Sequence, residues 1–273
     1  MRYIADNDLH IHTYISMCSG DPEQSPGNIL EYAKKNGFKN ICVTDHFWDA
    51  KVPGATPYLA KENIETLKSI LPLPQAGGIR FMFGCETELH KSGTLAIARE
   101  TFDEFDFVVI PINHFHMDGF TIEERDYNRP ERVAKLWVER FLHVLSMDIP
   151  FEKIGFAHLS CELMATASRR DHIEVCNLIP DDDMRRCFSL AAERGAGIEL
   201  NFETFFDYSG GELDELMRMY RIAKSEGAKF YFGSDAHHPA DMVRSKEKFE
   251  RVIDLLALEE SDKFSVPSSE TFQ

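Results

Sequence analysis

Seven short apolar runs recur along the chain, and a helix-like segment or helical loop follows each of them. The runs are Tyr3–His12, Lys39–Thr44, Ile79–Glu86, Phe107–Ile112, Ile154–Ala157, Gly197–Asn201 and Phe230–Gly233. Between them the spacing predicts a helix opened by Ser25 and Pro26 and stopped at Asn36-Gly37. Further helices are expected over Pro57–Ile70, Arg129–Leu145, Asp181–Arg194 (ended by Gly195), Leu213–Glu226 (ended by Gly227), and from Pro239 to about Leu258. Apolar runs of this length, each returned by a helix, pair in parallel, and the regular alternation leaves no room for two unrelated domains. A parallel barrel or closed sheet over residues 1–260 is the expectation, with 261–273 a polar C-terminal tail that is either mobile or closes over an opening.

Hydrophobic residues make up 43% of the 273, enough for a sizeable core. No apolar run is long enough to span a membrane. The first residues lack a charged leader followed by an apolar stretch, so a cytoplasmic protein is expected. The six cysteines form no CxxC pair and are read as reduced thiols. The net charge of −16 argues against a nucleic-acid partner, because such a surface repels a phosphate backbone. Carboxylates that hold cations are neutralised by them, so the same charge is compatible with a small anionic substrate.

The ends of the runs carry the chemistry. They read Asp8-Leu9-His10-Ile11-His12, Thr44-Asp45-His46, Gly84-Cys85-Glu86, Ile112-Asn113-His114, Ala157-His158 and Gly233-Ser234-Asp235-Ala236-His237. In a parallel barrel the carboxyl ends of all strands meet on one face. Residues two apart on a strand point the same way, so His10 and His12 pair, as do Asp235 and His237, and Asp8 is placed to orient His10. One such histidine has an ordinary structural explanation. Six sets at six strand ends do not, because core packing does not ask for ionisable groups, and burying them unpaired costs several kcal/mol. Histidines mixed with carboxylates suit zinc, iron or manganese.

The set Asp8-x-His10-x-His12-Thr13, Thr44-Asp45-His46, Gly84-x-Glu86, His114, His158 and Gly233-Ser234-Asp235-x-His237-x-Pro239 resembles the polymerase-and-histidinol-phosphatase (PHP) superfamily, in the family's order and over nearly the whole chain. The resemblance implies a single-domain α/β fold, a distorted (β/α)7 TIM-like barrel, with two or three divalent ions and phosphoesterase activity. It implies that His10, His12, Glu86 and Asp235 hold one ion, that Glu86 bridges to a second held by His114 and His158, and that His46 and His237 hold a third. Histidinol phosphatases commonly carry Cys-Pro-His in the loop after the first strand, where this chain reads Met17-Cys18-Ser19-Gly20-Asp21-Pro22. Asp21 is the expected remaining ligand, with Cys18 the alternative. His116 competes with His114, which aligns better with the strand, and His116 is left to touch substrate. Glu88 is read as a solvated acid or one standing behind a ligand.

The expected reaction is hydrolysis of a small phosphomonoester, histidinol phosphate or another, by a hydroxide that two ions about 3.5–4 Å apart activate. Glu86, Asp235 and His116 are the candidate catalytic residues, and the proton for the leaving alcohol comes from His116, a bound water or Asp235. Arg125, Arg129, Arg169 and Arg170 lie on loops that reach the same face but read as solvated surface. Three rivals are a nuclease on nucleic-acid ends, a barrel amidohydrolase, and a binding module that has lost turnover. The amidohydrolase would carry a bridging lysine on the fourth strand, and Val108–His114 has none. Oligomeric state is not legible.

Overall fold

In the computed structural model, which describes residues 1–117, 119–201, 206 and 208–267, the seven apolar runs become strands β1 (Asn7–Ile11), β2 (Asn40–Val43), β4 (Arg80–Thr87), β5 (Phe107–Ile110), β6 (Ile154–Phe156), β7 (Gly197–Asn201) and β8 (Lys229–Gly233), and a two-residue strand that no run announced, β3 (His46–Phe47), follows β2. Their order is β1-β2-β4-β5-β6-β7-β8, all parallel, with the short β3 pairing β4. The ring closes through backbone beyond β8: the His12 amide donates to the Ala236 carbonyl at 3.0 Å and the Asp235 amide to the His10 carbonyl at 2.8 Å. The result is a nearly closed parallel seven-stranded barrel wrapped by helices, the distorted barrel expected from the sequence.

Those helices are α1 (Pro26–Asn36), α2 (Ile64–Lys68), α3 (Pro130–Leu145), α4 (Arg169–Leu178), α5 (Asp181–Arg194), α6 (Gly210–Ser225) and α7 (Ser245–Leu256). Ser25 caps α1 by accepting from the Asn28 amide, and Gly37 ends it at φ 70°, a conformation glycine adopts without strain. The stripe Val133, Trp137, Phe141 and Leu145 of α3 is buried against the barrel, as its spacing requires. No helix among the described residues is long and apolar enough to cross a membrane.

Two apolar layers follow from strand alternation. Ile41, Val43, Val108 and Ile110 face outward into the shell under the helices. Leu9, Cys42, Met82, Phe107, Val109 and Tyr231 face inward, and Phe264 and Val266 of the tail join them. The Phe264 amide donates to the Phe230 carbonyl at 2.8 Å, and the Arg80 guanidinium donates to the carbonyls of Val266 and Pro267, both at 2.7 Å. The tail through Pro267 thus stoppers the barrel at the end opposite the histidines, while 268–273 lie outside the described residues. Gly155 makes room for this filling: a Cβ there would meet the rings of Phe107 and Tyr231 at 2.5 Å.

Several elements differ from expectation. The helix over Pro57–Ile70 is a 3-10 turn, Leu59–Lys61, followed by α2, because the Asn63 side chain accepts from the Thr66 amide at 3.2 Å and begins a new helix. The last helix starts at Ser245, because the Asp241 carboxylate accepts from the His237 and His238 amides and holds the preceding segment as a turn. Arg169 and Arg170 open α4 behind the Ser168 cap, where a loop was expected. The residues of α4 show too few apolar positions at helical spacing to announce it.

Phe264→Ala removes a nearly buried ring from the stopper. It should destabilise the protein by about 3–5 kcal/mol in urea unfolding. A change below about 1 kcal/mol would mean that the tail only rests on the barrel.

Candidate metal centre

A break in strand alternation sets the centre up. The β1–β2 register shifts between Asp8 and Ile11. Leu9 faces the barrel interior and Ile11 the outer shell, although two residues apart they would otherwise share a face. Asp8 is left on the outward side. Its carboxylate accepts from the Tyr32 hydroxyl at 2.7 Å and the Ser234 amide at 2.9 Å, so it does not orient the His10 ring. Past the shift, His10 and His12 both turn inward, fully buried.

The other strand ends converge on them. After β2 the chain turns so that β3 sets His46 opposite Glu86 of β4. His158 and Asp235 follow β6 and β8 in left-handed backbone, at φ 32° and 52°. Such conformations are costly for residues with a Cβ and persist where the surroundings fix them, often at functional sites.

Among the described residues three groups of donors form, the donor atoms of each lying within 4.8 Å of one another: His10, His12 and Glu86; Glu86, His114 and His158; and His12, Cys18, His46 and His237. Glu86 divides its oxygens between them. Oε2 lies 3.0 Å from His46, 3.5 Å from His12 and 3.7 Å from His10. Oε1 lies 3.3 Å from His158 and 3.7 Å from His114. Asp235 Oδ1 stands 3.1 Å from His12 Nε2 and 3.3 Å from His10 Nε2. Asp21 is in none of the groups: its Oδ1 accepts from the Glu23 amide at 2.9 Å and its Oδ2 faces His238 at 3.5 Å.

The far nitrogens of the rings are held. His10 Nδ1 bonds Glu199 at 2.6 Å, His114 Nδ1 bonds Glu88 at 2.9 Å, and His12 Nδ1 bonds Ser16 at 3.1 Å. The Asp235 carbonyl accepts from His237 Nδ1 at 2.8 Å. Holding one ring nitrogen fixes the tautomer and presents the other to a shared point. Glu199 also accepts from the His158 amide at 2.5 Å, which ties β1 to β6 through one carboxylate. Sequence reading passed over Glu199, although an acid inside the apolar run Gly197–Asn201 was a visible anomaly. Gly233 leaves space for it, since a Cβ there would stand 1.9 Å from Glu199 Oε1.

Burial disfavours every charge here, and attraction between unlike charges decides which survive. Burial works against the Glu86 carboxylate, but His10 and His46 hold it well below the usual range. It also works against the His10 cation, yet Asp235, Glu199 and Glu86 raise that imidazole well above its ordinary value. His12 goes the other way, driven down by burial and by the neighbouring His237. His116 is pushed down to about 4 by burial and by its neighbour His114.

These residues fit divalent ions. His10 and His12 aim Nε2 atoms at each other 3.2 Å apart, and so do His114 and His158. Lone pairs converging beside a carboxylate suit a cation better than they suit one another. His46 Nδ1 is buried against Glu86 Oε2 at 3.0 Å. Above the groups opens a cavity of about 230 Å³ whose lining includes Cys18, His46, Glu86, His116, Asp235 and His237. Arg125, Arg129, Arg169 and Arg170 are not in that lining.

Glu199→Gln keeps the shape of the residue and removes its charge. It should weaken metal binding about 10–100-fold in a competition titration, with the fold intact by circular dichroism. Unchanged affinity would reduce Glu199 to a structural brace.

Against known proteins, a PHP domain matches residues 8–203. Over 245 residues the chain is 22% identical to a protein named probable phosphatase from Thermoanaerobacter sp. (strain X514), covering 88% of this chain and 82% of that one. Over 247 residues it is 25% identical to a protein named probable histidinol-phosphatase from Deinococcus radiodurans, covering 86% and 87%. The fold is similar to the crystal structure of histidinol phosphate phosphatase from Lactococcus lactis subsp. lactis, complexed with zinc, L-histidinol and phosphate. The TM-score is 0.58 at 16% identity, over 96% of this chain and 99% of that one. With the match running from Asp8, the outward acid of β1, to a point beyond Glu199, this chain belongs to the PHP domain family.

Proposed function

We propose that the chain hydrolyses a small phosphomonoester with two or three divalent ions held in this centre. The observation that carries the reading is the division of Glu86, whose two oxygens face two separate sets of imidazoles. One ion would be held by His10, His12, Glu86 and Asp235, a second by Glu86, His114 and His158, and a third by a set containing His46 and His237. Zinc, iron and manganese suit this mixture of donors. When bound, such ions supply Lewis acidity that makes water nucleophilic near neutral pH and offsets charge on a phosphoryl group.

The protein's own part is to fix donors and shape the cavity. Glu199, Glu88 and Ser16 lock the rings, so little reorganisation remains when a substrate arrives. Asp235, partly exposed at the cavity and 3.1 Å from His12, is placed to orient a water or a leaving group. His116 stands at the wall beside His114, its rings' centroids 5.2 Å apart, and is placed to hydrogen-bond a phosphoryl oxygen or the departing alcohol.

A cavity of about 230 Å³ admits a small alcohol. Glu62 and Glu88 line it and no lysine or arginine does among the described residues, which favours a leaving group that is neutral or positively charged. Histidinol phosphate meets that description, and the names of the Deinococcus and Lactococcus proteins make it the first substrate to try.

Purified protein should carry divalent metal and turn over phosphomonoesters faster than a short oligonucleotide. His10→Ala and Asp235→Ala should each lower kcat/KM on the order of 10³-fold and reduce metal content. Full activity in both variants would remove the centre from the reaction. His116→Ala should lower kcat about 10²-fold while metal content stays at the wild-type value. Loss of metal in that variant would instead make His116 part of the metal-holding set.

A further inference from the structure

We propose that Cys18, together with His46 and His237, forms a thiolate-bearing position selective for a soft divalent ion, zinc in preference to manganese or magnesium. The proposal rests on reading the cluster as a metal centre and specifies the character of one part of it.

The third donor group contains His12, Cys18, His46 and His237. His12 has one free lone pair to give: Nδ1 is taken by Ser16, and Nε2 faces His10 at 3.2 Å and Asp235 at 3.1 Å. Its Nε2 therefore serves the group at His10, and Cys18, His46 and His237 remain. Three protein donors with a fourth position open is the arrangement of reactive metal sites, whereas structural sites close with four. All three residues line the cavity, so the open position faces the place where a phosphoryl oxygen would sit.

The loop bearing Cys18 is anchored on both sides of the thiol. The Met17 amide donates to Glu62 Oε1 at 3.0 Å, and the Ser19 hydroxyl donates to the His237 carbonyl at 2.5 Å. Upstream, Asp45 accepts from the Thr13 amide and the Ser16 hydroxyl, both at 2.7 Å. These bonds hold Cys18 against the two imidazoles. They also leave Asp21, which would have made the position harder, turned toward His238 at 3.5 Å. His46 is oriented by its Nδ1, which faces Glu86 Oε2 at 3.0 Å.

Binding exchanges the thiol proton for a sulfur–metal bond: the proton leaves to solvent and the sulfur lone pair enters the coordination shell, with no change of oxidation state. A thiolate with two imidazoles favours zinc, whereas the carboxylate-bridged groups around Glu86 admit harder ions. Two kinds of metal preference then sit side by side in one centre.

Cobalt(II) loaded into the full-length protein reads the donor directly, without reference to turnover, because a thiolate ligand adds a charge-transfer band in the near ultraviolet. The band should appear in the wild type, vanish in Cys18→Ser, and persist in Asp21→Asn and in Cys161→Ser, whose sulfur lies 3.5 Å from His158. Zinc should abolish the band on titration and manganese should not. A band that survives Cys18→Ser, or cobalt retained by the wild type with no band, overturns the thiolate position and leaves the phosphoesterase reading standing. Failure to retain any cobalt overturns both.

Discussion

The Glu86 carboxylate is the constraint around which the barrel's upper end is arranged. It is almost fully buried, its neighbours are imidazoles, and each of its oxygens is shared by histidines from different strands. A buried carboxylate with no counter-charge would be strongly destabilising. Burial works against a charge on His10, His46 and His158 as well, yet neighbouring acidic groups, Glu86 among them, shift all three imidazoles upward. The carboxylate and these imidazoles favour each other's charged forms.

The rings of the centre are aligned by residues outside the donor groups. Glu199 joins His10 to the backbone of His158, and the absence of a side chain at Gly233 gives it room. Glu88 aligns His114, and Ser16, itself held by Asp45, aligns His12. Each strand end is tied to at least one other before any ligand arrives. The opposite end of the barrel is filled with Phe107, Tyr231 and Phe264, so the pit is polar at one end and stoppered with rings at the other.

Membership in the PHP family goes with the barrel, while local sequence sets the details of the strand ends. The loop after β1 shows this most plainly. Its anchoring brings a sulfur to the imidazoles of His46 and His237 and turns the nearby carboxylate of Asp21 outward. At the rim of the cavity Glu62 and Glu88 share the wall with Tyr58 and Leu163.

Sequence alone determined every strand but the short β3, most of the helices, and which strand ends carry ionisable groups. Those signals are local: alternation, periodicity, caps, and polar residues where an apolar run should simply stop. His10, His12, His46, Glu86, His114, His158, Asp235 and His237 were all legible in that way. Tertiary structure decided what local patterns do not encode. A register shift in β1 sent Asp8 outward and made Glu199, from the far side of the barrel, the partner of His10. Loop anchoring chose Cys18 over Asp21 as the neighbour of His46 and His237. Both outcomes depend on hydrogen bonds between residues distant in the chain, and the spacing of residues along one segment carries no information about them.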